Sequence, residues 1–123
     1  MTATVSPPKL RVAISGLGRM GKRHALIYLK QCYRAQVVAA FTPVAEEAAW
    51  AAQHLAPAGV TIYSDYDAML KHTGLQAVVI AVATSWHAEH AIKAIEKGLH
   101  VMCEKPISTS IEIVSLGLFG QQL

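Results

Sequence analysis

The sequence predicts an α/β fold, a doubly wound parallel sheet with helices on both faces. Three observations lead there. Five short apolar runs alternate with four helical patterns, and the connections between them are short. The run at residues 77–82 is almost continuously apolar, as a strand covered on both faces must be. Apolar residues make up 53% of the 123 residues and charged residues only 15%, a balance that supplies a core and excludes disorder.

Each element has its own signal. Residues 1–8 form a polar, proline-containing leader without periodicity, expected to hold little order. Residues 10–15 read as a strand that stops at Gly16. From Met20 the spacing turns helical, with Leu26, Leu29 and Tyr33 on one face. Residues 36–41 are the second strand, and Pro43 opens a helix whose inward face carries Ala48, Ala52 and Leu55. Residues 60–63 are the third strand. Ser64-Asp65-Tyr66-Asp67 resembles a capping box opening a helix to about His72, closed by Gly74. Residues 77–82 are the fourth strand. A helix over residues 88–97 turns Ala88, Ile92 and Ile95 inward and stops at Gly98, and residues 100–103 are the fifth strand. A sheet of this kind binds ligands at the carboxyl ends of its strands.

At one such end stands Gly16-Leu17-Gly18-Arg19-Met20-Gly21. This G-x-G-x-x-G pattern gains meaning from its place, directly after a strand and before a helix. The first glycine allows the tight turn, the second lets backbone approach a pyrophosphate, and the third lets helix pack on strand. The helix N-terminus then offers amide hydrogens and positive dipole to the phosphates. A dinucleotide is the expected ligand. The acid that usually binds the ribose 2′-hydroxyl, about 20 residues on, is replaced by Thr42, while Glu46 and Glu47 fall in the next helix and are expected to face solvent. With no acid there and Arg19 close by, NADP is slightly favoured over NAD.

The net charge of +3 is unevenly spread: residues 1–45 hold seven basic side chains and no acid. Arg19, Lys22 and Arg23 cluster beside the glycines, which suits a diphosphate better than an extended nucleic-acid backbone. Aromatic residues are few and not interleaved with the basic ones, so nucleic acid is not an expected partner. The apolar stretch at 75–86 is too short and too polar to span a bilayer, and no signal peptide is visible. A cytoplasmic protein with two unpaired thiols, Cys32 and Cys103, is expected. His87 and His90 stand at i and i+3 around Glu89, but no third ligand follows by spacing, so no metal is expected.

The fifth strand runs into Val101-Met102-Cys103-Glu104-Lys105-Pro106, at the ligand-binding edge. This segment, the glycine motif continued through Lys22-Arg23-His24, and His87-Ala88-Glu89-His90-Ala91 together resemble the Gfo/Idh/MocA oxidoreductases over residues 9–112. The resemblance implies a Rossmann dinucleotide-binding domain that contacts its cofactor through Gly16, Leu17, Gly18, Arg19, Met20, Gly21, Thr42, Ala83, His87, Glu104, Lys105 and Pro106. It implies hydride transfer between the nicotinamide and the carbinol of a sugar, cyclitol or related polyol. Lys105 would be the catalytic acid/base, oriented by Glu104 on a loop fixed by Pro106. Val82-Ala83 stands where the family usually has Thr-Pro, which loosens the wall beside the cofactor. The family also continues into a second, substrate-binding domain. Here Thr109-x-x-Glu112 reads as a capping box, and residues 113–123 are an apolar tail unlike the family. The expectation is thus a truncated chain, the cofactor half of an enzyme or a non-catalytic nucleotide-binding module, with an uncovered face that favours a homo-oligomer.

Overall fold

A computed structural model describes residues 9–82 and 84–103. They form β1 (Leu10–Ser15), α1 (Arg19–Lys30), β2 (Ala35–Phe41), α2 (Ala45–His54), a 3-10 turn (Ala56–Ala58), β3 (Thr61–Tyr63), α3 (Tyr66–Leu70), β4 (Ala77–Ile80), α4 (Thr84–Glu96) and β5 (His100–Cys103). The leader 1–8, Ala83, Glu104, Lys105, Pro106, the Thr109/Glu112 capping box and the tail 113–123 lie outside the described residues.

The strands make one sheet in the order β3-β2-β1-β4-β5, with every pair parallel. β1 is central, so the chain reverses its direction of travel across the sheet beside it, and a crevice opens there at the carboxyl ends. Alternate strand residues feed two cores. Val12, Ile14, Val37, Ala40, Ala77 and Val79 pack under Ala25 of α1 and Ala51 of α2. Ala13, Phe41, Val78 and Ile80 pack against Tyr66, Met69 and Leu70 of α3 and Ala94 of α4. Burial of each Val, Ile or Leu contributes about 1.5–3 kcal/mol. A register shift in the β1–β2 ladder after Val12 lets Val38 and Ala39 join the same core.

Helix phases differ from expectation in three places. α1 ends at Lys30, so Tyr33 is 77% exposed; the inward row is Gly21 and Ala25, flanked by Tyr28 and Leu29. α2 starts at Ala45 after Val44 rather than at Pro43, and this rotates Ala51 inward and Ala52 out. α4 starts four residues earlier than read, at Thr84, and β4 stops two earlier, at Ile80. The inward face of α4 is His87, Ala88, His90, Ala91 and Ala94, while Ile92 and Ile95 are only half-buried. Phe41, Tyr66 and Met69 already fill the space beneath α4, so small side chains, not the isoleucines, meet them. α3 ends at Leu70, and its cap is Asp65, whose Oδ2 accepts the Ala68 N–H at 3.0 Å.

Candidate functional site: the glycine turn at the sheet edge

The ends of β1, β2 and β4 are tied together around Gly16. Its N–H donates to the Phe41 carbonyl (2.8 Å), and the Ala81 N–H donates to the Ser15 carbonyl (2.7 Å). Gly16 has φ +97°, and a Cβ there would lie 2.7 Å from both the Ala81 oxygen and the Val82 nitrogen. At Gly21 a Cβ would overlap the Gly16 carbonyl oxygen, so α1 rests on the turn without a side chain between. Gly18 is different. Its φ is −70°, and the nearest atom to a Cβ would be Glu47 Oε2, at 3.9 Å. Two glycines are demanded by the fold; the third keeps a surface clear.

That surface faces an open cavity of about 250 Å³. Residues 16–18 form one wall, Pro43, Val44 and Glu47 a second, and Ala81, Val82 and Trp86 a third. Gly18 is the N-cap of α1, no side chain among the described residues caps that end, and its first turn holds no acid. Its opening amides and the positive end of the helix dipole therefore remain available to an anion. The Leu17 side chain is wholly buried, so only its backbone can meet a ligand, while Arg19 and Met20 are exposed beside the turn.

Thr42, at the end of β2, is 1% exposed. Its Oγ1 accepts the Val44 N–H (3.1 Å) and its hydroxyl donates to Glu47 Oε1 (2.5 Å). The expectation that Glu47 faces solvent is therefore corrected. The start of α2 at Ala45 turns this carboxylate back over β2 and onto the cavity wall. The signal available in the sequence was a hydroxyl in the acid's usual place with two acids in the following helical turn.

Behind the turn lies a buried polar cluster that sequence reasoning missed. Ser15 Oγ is 2.8 Å from His90 Nδ1, the Tyr66 ring stacks on His90 at 3.7 Å, and the Tyr66 hydroxyl donates to the His90 carbonyl (2.6 Å). Burial pushes the His90 pKa down from 6.5 to about 4, so the ring is neutral at pH 7. His87 is also buried, and its Nε2–H donates to the Val82 carbonyl (2.5 Å), which holds the β4–α4 connection against the first turns of α4. The two histidines thus fill inward positions, and among the described residues no three His, Cys, Asp or Glu side chains gather to hold a metal. Trp86, 41% exposed, serves as cavity wall and lies 5.8 Å from the His90 ring. No helix among the described residues is long and apolar enough to cross a membrane.

The nature of this site agrees with what the chain is similar to. Residues 10–115 match the family described as an oxidoreductase family with an NAD-binding Rossmann fold. The scyllo-inositol 2-dehydrogenase (NAD(+)) of Bacillus subtilis is 34% identical over 106 residues, covering 85% of this chain and 30% of that relative. An inositol 2-dehydrogenase of Leifsonia xyli subsp. xyli is 37% identical over 108 residues, covering 88% and 30%. Among solved structures, apo scyllo-inositol dehydrogenase from Lactobacillus casei superposes with a TM-score of 0.85 at 32% identity, covering 94% of this chain and 34% of that one. The same organism's enzyme with bound NAD(H) and scyllo-inositol gives 0.82 at 32% identity, covering 91% and 32%. The chain therefore spans about a third of the length of the proteins it matches. With the parallel doubly wound sheet in place and the family match covering residues 10–115, the chain belongs to the Gfo/Idh/MocA oxidoreductase family through that family's NAD-binding Rossmann domain.

Proposed function

We propose that this chain is the cofactor-binding part of an NAD(P)-dependent oxidoreductase acting on a cyclitol, sugar or related polyol. The observation that carries the reading is the contrast among the three glycines. Gly18 has an ordinary φ and no protein atom pressing on it, so its lack of a side chain serves something outside the fold. A pyrophosphate resting on the opening amides of α1 fits that clearance. The cavity walls suit the adjoining nucleoside: apolar surface from Pro43, Val44 and Trp86, and one carboxylate from Glu47.

When bound, the nicotinamide supplies a two-electron hydride acceptor or donor. The chain's own contribution to the chemistry is Lys105, carried here by family resemblance. As a neutral amine it takes the proton of the substrate hydroxyl during oxidation and returns it during reduction. The same resemblance assigns Ala83, Glu104 and Pro106, which lie outside the described residues, to the cofactor's surroundings. His87, buried and bonded to the Val82 carbonyl, supports the cavity wall from behind, and Arg19 supplies positive charge beside the phosphates. The substrate class follows the inositol dehydrogenases among the relatives.

Fluorescence titration with NADH and NADPH tests the placement. Wild type should bind, and Gly18→Val should not, because its side chain fills the phosphate position. Equal binding by both would remove the glycine turn from the site. In the chain joined to a substrate-binding domain, Lys105→Ala should lose most turnover and keep cofactor affinity; unchanged turnover would remove Lys105 from the chemistry.

A further inference from the structure

We propose that Glu47, aligned by Thr42, reads the adenosine ribose and makes this chain prefer NAD over NADP, an inference that rests on the dinucleotide reading above. In folds of this kind an acid at the end of the second strand binds the ribose 2′-hydroxyl and repels a 2′-phosphate. Here that place holds Thr42, which by itself is neutral and permissive. The structure restores the charge from the next helix.

The alignment is specific. Thr42 Oγ1 accepts the Val44 N–H, so the hydroxyl's own proton is directed to Glu47 Oε1 at 2.5 Å. One carboxylate oxygen is thereby anchored by a side chain that is 1% exposed. The other, Oε2, is the atom nearest to the clear side of Gly18, 3.9 Å from the position of a Cβ there. It stands in the cavity wall between the glycine turn and Pro43-Val44, on the β2 side, where the fold puts the ribose next to the pyrophosphate. A vicinal diol gives such a carboxylate two donors. A 2′-phosphate brings only acceptors and a second negative charge, so the pair repels. The slight expectation of NADP rests on the missing acid at Thr42 and on Arg19. Arg19, exposed at the same turn, draws the phosphates generally, whereas the Glu47 carboxylate supplies the missing acid on the wall where the two cofactors differ.

The test is the ratio of NADPH to NADH dissociation constants, measured by fluorescence titration on the 123-residue chain. Wild type should bind NADH at least about tenfold more tightly. Glu47→Gln, which keeps the acceptor for Thr42 and removes the charge, should bring the two within about threefold, chiefly by gaining NADPH affinity. Thr42→Val should narrow the ratio and Thr42→Ser should restore it, a rescue that a purely structural role for Thr42 would not produce. Circular dichroism checks that each variant is folded. A wild type that binds NADPH as well as NADH, or a Glu47→Gln ratio equal to wild type, overturns the proposal and leaves the dinucleotide reading standing. A Thr42→Val ratio equal to wild type overturns the role of Thr42. Failure of the wild type to bind either dinucleotide overturns both readings together.

Discussion

Alanine placed at Gly16, Gly18 and Gly21 in turn separates what the fold requires from what the ligand requires. At Gly16 the new residue must hold φ +97° and sit 2.7 Å from two backbone atoms. The left-handed conformation costs about 1–2 kcal/mol, and the crowding about 1–3 kcal/mol more. At Gly21 the Cβ overlaps the Gly16 carbonyl, and neither partner is a flexible side-chain end. The start of α1 must lift from β1 and disturb the packing of Ala25, for a loss of at least about 3 kcal/mol. At Gly18 the conformation suits alanine and the nearest atom is 3.9 Å away. Reduced freedom of the unfolded chain gains up to about 1 kcal/mol, and loss of a glycine N-cap offsets about as much.

Thermal melts followed by circular dichroism, with and without NADH, read both effects. A domain of this size loses roughly 4 °C per kcal/mol. Gly21→Ala should therefore melt about 12 °C or more below wild type, Gly16→Ala about 8–20 °C below, and Gly18→Ala within about 4 °C. Added NADH at a hundred times its dissociation constant should stabilise wild type by about 2.7 kcal/mol. It should leave Gly18→Ala nearly unmoved, because the Cβ projects into the proposed phosphate position. If Gly18→Ala melts as low as Gly21→Ala, the second glycine is structural after all, and if NADH raises it as far as wild type, the phosphates lie elsewhere.

The buried histidine makes stability depend on acid. Burial holds His90 near pKa 4 against 6.5 when unfolded, so the unfolded chain takes up the proton first. Its contribution is complete above about pH 6.5 and is lost as pH falls toward 4, by up to about 3 kcal/mol. Urea midpoints at pH 7, 5.5 and 4 should show that slope, and His90→Asn should flatten it; parallel slopes would exclude His90 as the cause. Leu17→Ala removes the side chain that pins the glycine turn into the core and should cost about 2–5 kcal/mol. A loss under about 1 kcal/mol in chemical denaturation would contradict that anchoring. Asp65→Ala deletes the α3 cap and should cost about 0.5–2 kcal/mol, whereas Ser64→Ala should change little. The reverse order would restore Ser64 as the cap.

Strands and the glycine turn were legible because their constraints are local. A continuous apolar run such as 77–82 admits few other readings, and a glycine forced to φ +97° between strand and helix announces its geometry. Helix faces were less legible because apolar identity does not say which side of a helix meets the sheet. In α4 the isoleucines looked inward, yet alanines and two histidines take the core positions, because Phe41 and Tyr66 leave room only for small or flat groups. Glu47 was missed for the same reason. Val44 is extended and α2 opens only at Ala45, which sets the direction from which the carboxylate returns to Thr42, and no composition argument fixes a helix start that closely. The Ser15–His90 pair joins residues 75 positions apart and leaves no mark on either neighbourhood in the sequence.

These missed contacts bear on how the turn would bind. Three strands end at Gly16, and each end is held by something other than the sheet ladder. Ser15 is linked to α4 through His90, Thr42 to α2 through Glu47, and the β4 exit to α4 through His87 and the Val82 carbonyl. Thr42 N–H also donates to the Tyr63 carbonyl at 3.0 Å, which secures the β2 end on its far side. A turn braced by both neighbouring helices, with Leu17 as a plug into the core, has its amides already aimed before any anion arrives. Little conformational entropy is then left to lose on binding. The buried polar pairs are therefore better understood as supports for the turn than as added stability, since a neutral His90 and a saturated Thr42 gain little over apolar replacements in net free energy. Their value is positional: they fix Gly18 and Glu47 relative to each other, and with that the spacing between the clear side of the glycine turn and the carboxylate.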